Sequence, residues 1–341
     1  MNYKTGETEM TSLKRFILFG LLSIGLIVST CLSGYGFECT DNNSLYPFSM
    51  NYQWGYIDEK GEIVIPPVYG WANVFNEGLA SVKINDKWGY IDEKGEIVIP
   101  PVYDFAWNFY GGLAAVRIND KEGYIDKKGK IVIPPVYNRA YHFNGDLAMV
   151  EINNKYGFID KKGKMVLPLY DWAWGFNEGL AAVQIKVGDK YIFIDKTGKM
   201  VIPPVYSAAT GFREGLAPVS ITGKYGYIDK GGRIVIPLIY DDAWYFYEGL
   251  AYIKINGKYG YIDKEGKIVI SPVYDSASGF HEGLARVKIN GKEGFIDKAG
   301  KMVIPPVYDS AEDFNGNLAL VWINGKQGYI DKTGKMIFQS E

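Results

Sequence analysis

The sequence predicts an all-β fold made of tandem three-stranded antiparallel β-meander repeats, each about 34 residues long. Three observations predict it. A short pattern recurs along the chain: Trp54 to Asp58 returns as Trp88 to Asp92, Glu122 to Asp126, Tyr156 to Asp160, Tyr191 to Asp195, Tyr225 to Asp229, Tyr259 to Asp263, Glu293 to Asp297 and Gln327 to Asp331. The composition holds 27 Tyr and 41 Gly with 15% aromatics, which suits pleated surfaces joined by tight turns. Asn-Gly pairs at Asn256-Gly257, Asn290-Gly291 and Asn324-Gly325 separate apolar runs, the signature of two-residue hairpins. A repeat array is one quasi-linear body, so the 341 residues do not divide into ordinary domains.

Each element of the unit follows from residue chemistry. Leu79 to Ile84 alternates, with Ala80, Val82 and Ile84 on one face and Ser81 and Lys83 on the other. Trp88 to Asp92 is the second strand, and it ends in Asp92-Glu93-Lys94-Gly95, where Asp bonds its own turn and Gly takes positive φ. Ile97 to Ile99 is the third strand. Pro100 and Pro101 are expected to end it and to mark it as an edge, because proline cannot donate to a ladder. Gly89, Ile91, Ile97 and Ile99 share one parity, and Trp88, Tyr90 and Val98 the other. Both faces are apolar, so each unit needs neighbours on both sides.

The phase of the repeats sets the boundaries. Shifting Leu79, Val82, Ile84 and Asn85 back by one period lands on Leu45, Phe48, Met50 and Asn51. The array is therefore expected over 45–338 as nine units, the first degenerate and the last truncated, with 339–341 as a tail. No unit is split between the two ends. The expected architecture is an open β-superhelix or solenoid, with a β-propeller closed by simple packing as the alternative.

The N-terminus is of another kind. Lys14 and Arg15 precede an apolar run from Phe16 to Val28, followed by Ser29, Thr30, Ser33, Gly34 and Gly36. Residues 1–36 read as a signal peptide, a lipoprotein signal or an N-terminal anchor, with 37–44 a short linker. Val28-Ser29-Thr30-Cys31 resembles a bacterial lipobox, which makes Cys31 the candidate lipidation site, although Thr30 is unusual before such a cysteine. Cleavage after Gly36 and a Cys31–Cys39 disulfide are the alternatives. The repeats contain no cysteine, so no disulfide framework holds them.

Lys87-Trp88-Gly89-Tyr90-Ile91-Asp92, with Ile97-Val98-Ile99-Pro100-Pro101-Val102-Tyr103 behind it, resembles the WG (KWG) repeat of bacterial proteins. The resemblance extends over residues 45 to 338. It implies a repeat fold in exported or surface-associated bacterial proteins, and it implies no reaction. The copies depart from the pattern at Ile192, which replaces the glycine, and at Glu122, Glu293 and Gln327, which replace the aromatic.

Comparing the internal copies separates what the fold needs from what it leaves free. The net charge of −2 offers no basic excess for nucleic acid. The recurrent aspartates (Asp58, Asp92, Asp126 and their equivalents) read as turn-shaping residues, since a calcium site needs several oxygens converging on one point. The recurrent lysines (Lys87, Lys121, Lys155 and their equivalents) read as exposed hairpin residues. The fixed rings, from Tyr69 and Phe75 onward, read as core. Between them lies a variable connector. Trp71, Phe105, Trp107, Tyr141, Trp172, Trp174, Trp244 and Tyr245 occupy slots filled elsewhere by Ala, Ser, Thr, Asp or Glu. These are the candidate ligand-binding residues, because rings the fold does not require can stack on sugars or anchor a protein partner. The two histidines, His142 and His281, sit at different places in their units, and no nucleophile motif, P-loop or metal-ligand spacing appears. The expected function is a non-enzymatic exported module presenting a repeat surface to a glycan or protein at the cell envelope. It would use no cofactor, metal or nucleic acid, and would meet the membrane only through its N-terminus. A structural scaffold or spacer is the alternative.

Overall fold

The computed structural model describes residues 45–340. The expected signal segment 1–36, Cys31, Cys39 and the linker 37–44 lie outside the described residues. Among the described residues every regular element is a strand, and the strands form nine antiparallel sheets. The first sheet has three strands, β1 (Tyr46–Met50), β2 (Gln53–Ile57) and β3 (Ile63–Tyr69). The second has four in chain order: β4 (Trp71–Ala72), β5 (Ala80–Ile84), β6 (Lys87–Ile91) and β7 (Ile97–Tyr103). Seven further four-stranded sheets repeat the second. The sheets are the blades of a nine-bladed β-propeller, with the short first strand at the inner edge and the proline-bearing strand on the outer rim.

This corrects two expectations. The array closes into a ring and is not an open superhelix. The unit also has a fourth strand, because the connector's first residues pair with the Leu-Ala strand, as Trp71 does with Lys83 and Ala72 with Val82.

The hairpin between β5 and β6 turns on Asn85 and Asp86, with φ of 47° and 65°. Two consecutive positive φ values are what a two-residue hairpin matched to strand twist requires, and Asn and Asp tolerate them. In the next turn Asp92 Oδ1 accepts the N–H groups of Lys94 (3.0 Å) and Glu96 (2.8 Å). The aspartate of every blade does the same for its own turn, so these carboxylates are consumed locally.

The outer strand does not stop at its prolines. β7 runs from Ile97 to Tyr103, and it does so through a bulge: Trp88 faces Tyr103, Tyr90 faces Ile99, and Ile91 faces Ile97. The bulge places Pro100 and Pro101 where no ladder bond is asked of them. It also breaks the simple parity of the run. Ile99 joins Tyr90 in the core, while Ile97 and Val98 point outward. The glycine of the motif is explained here. A Cβ on Gly89 would lie 2.6 Å from the Ile99 carbonyl oxygen and 2.8 Å from the Pro101 nitrogen. Blade five carries Ile192 at this place, and its hairpin is also longer, residues 185–190.

The cores lie between blades. Leu79, Trp88, Tyr90, Ile99 and Tyr103 of blade two meet Ala106, Phe109, Ala114, Val116 and Ile125 of blade three. At the centre of each interface an aromatic from one blade meets the connector phenylalanine of the next. Tyr90 and Phe109 have ring centroids 4.8 Å apart, and Phe158 and Phe176 4.7 Å. Where the first ring is tyrosine, its hydroxyl donates to the next blade's connector carbonyl. Tyr90 Oη reaches Trp107 O at 2.6 Å and Tyr227 Oη reaches Trp244 O at 2.6 Å. The expected exposed lysines cross the same gap, as Lys87 does to Asp104 of the next blade (2.6 Å). At the other end of the interface Glu77 accepts Gly111 N–H (2.6 Å) and pairs with Lys127 (3.1 Å), both in the next blade.

Ring closure uses the same places with different residues. Tyr329 Oη of blade nine donates to Pro47 O of blade one at 2.7 Å. Ser49 Oγ and N–H both donate to Gln327 Oε1, at 2.9 and 3.2 Å. Asn317 Nδ2 donates to Glu59 Oε1 at 3.1 Å, in the place where five other interfaces carry a Glu–Lys pair. Leu318, Leu320 and Tyr329 share one core cluster with Tyr46, Phe48 and Tyr56.

The bulge generates a prediction. Gly89→Ala forces backbone apart and should destabilise the protein by about 1–3 kcal/mol, the range for overpacking. Gly157→Ala should cost less. In blade four the outer strand is one residue shorter, and a Cβ there meets the ends of the Met165 and Leu169 side chains. Thermal melts of the two variants should rank in that order. Equal melting temperatures would remove the bulge as the reason for the motif glycine.

Candidate functional site

The inner edge of the ring carries the residues that differ most from blade to blade. Each short strand contributes one side chain before its alanine and one after it. The residue before the alanine packs on the motif position of the preceding blade. Trp71 sits on Trp54 (4.9 Å), Phe105 on Trp88 (4.9 Å) and Trp172 on Tyr156 (5.4 Å). Where the motif aromatic is replaced, the contact changes type. Glu122 Oε2 accepts Ala140 N–H at 2.7 Å, and Glu293 Oε2 accepts Ala311 N–H at 2.7 Å. Trp71, Phe105 and Trp172 therefore have structural partners, a role that a comparison of positions 16 or 17 apart in the sequence would have revealed.

The residue after the alanine is Asn73, Trp107, Tyr141, Trp174, Thr210, Trp244, Ser278 and Glu312 in blades two to nine. It is aromatic in three consecutive blades, three to five. Trp107 is 36% exposed and stands edge-on to Phe105 (4.9 Å). Trp174 stands edge-on to Trp172 (6.1 Å). Tyr141 is half-buried. Together they make an aromatic arc on one side of the inner edge. Trp244, in blade seven, is outside it and stacks on Tyr252 (5.8 Å, 16° between planes). Tyr245 is 3% exposed and its hydroxyl accepts Gly211 N–H at 3.2 Å. It braces blades six and seven and is no surface ring.

Blades seven to nine present a polar sector that sequence inspection missed. Arg286 occupies a position filled by Ala115, Met149, Ala182, Pro218 and Leu320 in sister blades. It donates to Glu293 (3.1 Å), to the Ala311 carbonyl (2.9 Å) and, more weakly, to Asp313 (3.4 Å). Burial opposes its charge, but Asp313 and Glu293 outweigh that and hold its pKa above the usual value. Asp313 also accepts Ser278 Oγ–H at 2.7 Å, and His281 Nε2 lies 3.9 Å from its other oxygen. Burial raises Asp242 above the ordinary carboxylate range. Burial likewise raises Glu312, against the pull of Arg286 and with help from Asp313, to about 8. The signal that would have found this sector is a partly buried charge, such as Arg286 or Asp313, where several sister copies carry small or apolar residues. Among the described residues no group of three or more His, Cys, Asp or Glu is arranged to hold a metal ion.

Glu312 makes stability depend on pH. Its carboxyl binds a proton more tightly in the folded chain than at the ordinary value of 4.5, so its contribution is complete below that value and is lost as pH rises through about 8. Half-buried His142 runs the other way: loss of solvent lowers it to about 3, and it is neutral in folded and unfolded chains above its ordinary 6.5. Between pH 6.5 and 8 the wild type should lose melting temperature, and Glu312→Gln should flatten that loss. Parallel melting curves for the two would refute the assignment.

Comparison with known proteins agrees with this geometry. The WG containing repeat family matches residues 54–88, 88–121, 123–156, 156–191, 193–225, 225–259, 259–292 and 294–326. A search of curated proteins returns no significant match. Among solved structures, a eukaryotic initiation factor superposes with a TM-score of 0.62 at 12% identity, over 88% of this chain and 96% of that one. The dihydro-heme d1 dehydrogenase NirN follows at a TM-score of 0.49 and 12% identity, over 89% of this chain and 74% of that one. At such identities the first likeness speaks for the fold alone. With its matches running blade after blade from Trp54 to Lys326, the chain belongs to the WG containing repeat family.

Proposed function

We propose that this propeller is a non-enzymatic, exported binding module that holds a glycan or protein ligand of the cell envelope through its aromatic arc. The observation that carries the reading is the run of Trp107, Tyr141 and Trp174 at one structural position in three adjacent blades. Sister blades fill that position with Asn73, Thr210, Ser278 and Glu312, so the ring does not need aromatics there to close. Rings that folding does not require, grouped and partly exposed, suit stacking on sugar faces or anchoring a partner. Export rests on Lys14, Arg15 and the apolar run Phe16 to Val28, and attachment rests on Cys31.

The scaffold alternative is less well supported. A spacer would tolerate changes in repeat number, whereas here Gln327, Tyr329 and Asn317 are matched to Ser49, Pro47 and Glu59. Such pairs tie blade one to blade nine, and a closed ring cannot gain or lose a blade without changing the angle at every interface.

The test is a binding screen of the purified full chain against envelope polysaccharides and peptidoglycan fragments. It is run beside Trp107→Thr/Tyr141→Thr/Trp174→Thr, which borrows the residue blade six already carries. The wild type should bind a polymer at least tenfold more tightly than the variant, with similar melting temperatures. Equal binding by both would sink the arc as the recognition surface. Turnover of a polymer by the wild type would overturn the non-enzymatic reading.

A further inference from the structure

The polar sector encloses a cavity of about 120 Å³ between blades seven and eight, reached also by blade nine. Its walls include Trp244, Tyr247, Tyr252, Ser278, Arg286 and Asp313. None of these six is required by the repeat. The position of Tyr252 is small in three sister blades, as Ser81, Ala115 and Ala182, and that of Asp313 is glycine in three, as Gly175, Gly211 and Gly279, and carries a carboxylate in no other blade. The same sector holds buried Glu293 and the cation–π contact of Arg213 on Tyr247 (3.9 Å). Charged and polar groups placed where sister blades spend small residues cost desolvation, and a fold that needs only packing gains nothing from them.

We propose that this cavity is a binding site for one neutral sugar residue. The chemistry of the walls selects the class. Trp244 and Tyr252 lie nearly parallel and form one apolar wall, which suits the C–H face of a pyranose. The same lining holds a guanidinium, a carboxylate and a hydroxyl in one hydrogen-bonded set. Arg286 is already neutralised by Glu293 and Asp313, so an anion would meet two carboxylates and a cation would meet the guanidinium. A neutral ligand with several hydroxyls escapes both penalties and uses donors and acceptors alike. The volume would hold about four waters at ~30 Å³ each, or a single small ring. The site deepens the binding-module reading and rests on it, but with residues separate from the aromatic arc.

The experiment is saturation-transfer NMR on the full chain with free glucose, galactose, mannose and N-acetylglucosamine, with inorganic phosphate and choline as charged probes in competition. At least one sugar should receive saturation, and neither charged probe should displace it. Tyr252→Ala and Asp313→Asn should each weaken that binding at least tenfold. Both keep the Arg286–Glu293 pair; each should lower the melting temperature, since Tyr252 packs on the blade eight core and Asp313 is a partner of Arg286, so binding is read well below the melting point of every variant. The arc variant should bind the monosaccharide as the wild type does. No sugar binding by the wild type, undiminished binding by both cavity variants, or displacement by phosphate or choline would overturn the proposal. Monosaccharide binding lost only in the arc variant would also overturn it while sustaining the arc. A failed polymer screen beside intact cavity binding would remove the arc and leave this site.

Discussion

Everything in this fold depends on one constraint: each blade is apolar on both faces and cannot be stable without a neighbour on each side. The Leu79–Tyr90–Ile99 face of blade two is covered by the Phe109–Val116–Ile125 face of blade three, and so on around the ring. An open array would leave one such face bare at each end. Here Tyr46 and Phe48 at one end meet Leu318, Leu320 and Tyr329 at the other, and no bare face remains. Closure also explains why the last interface carries its own residues. A Glu–Lys pair, as at five other interfaces, joins neighbours in sequence, but Asn317 with Glu59 and Gln327 with Ser49 exist only because residues 258 and 278 positions apart must meet.

The repeat, three of its four strands and its hairpin turns were readable from local chemistry, because Asn85-Asp86 and Asp92-x-x-Gly95 each suit their own turn. Closure was not readable in the same way. Nothing local distinguishes a solenoid from a propeller when both stack the same two apolar faces; the angle between blades decides, and that angle is set by packing across the interface. The sequence did hold a trace of it. Gln327 departs from the motif aromatic in the last copy, and its partner Ser49 lies in the first. The course of the outer strand was misjudged for a related reason. Pro100 and Pro101 were expected to end β7, yet a bulge absorbs them, and the bulge in turn accounts for Gly89 and for the exposure of Ile97 beside buried Ile99.

The candidate site was half visible. Comparing the copies with one another correctly separated a variable inner connector from a constant core, and it drew attention to the rings. It could not separate two neighbouring positions with opposite duties. Trp71, Phe105 and Trp172 answer to the motif residue of the preceding blade, while Trp107, Tyr141 and Trp174, two residues later, stand where sister blades carry Asn73, Thr210 or Ser278. Tyr245 shows the limit of the method, since a ring present in one copy only can still be core. The polar sector was missed because attention to aromatics passed over single charges, although a half-buried arginine where two sister blades carry alanine is the costlier departure from the repeat.

That cost is the final argument about where function sits. In a repeat protein the cores are solved once and copied, so a residue that appears once is either tolerated or retained for something the copies do not share. Exposed departures such as Ser276 or Ser310 cost nothing and carry no information. Arg286 with Glu293 and Asp313 is different. Each charge would be expensive without the others, and the set spans two blades, so it cannot have arisen from one neutral substitution. Blades three to five depart from the repeat by adding aromatic surface, and blades seven to nine by adding paired charge around a cavity. The same ring thus carries two chemically distinct inner sectors on a scaffold whose remaining positions are spent on closing it.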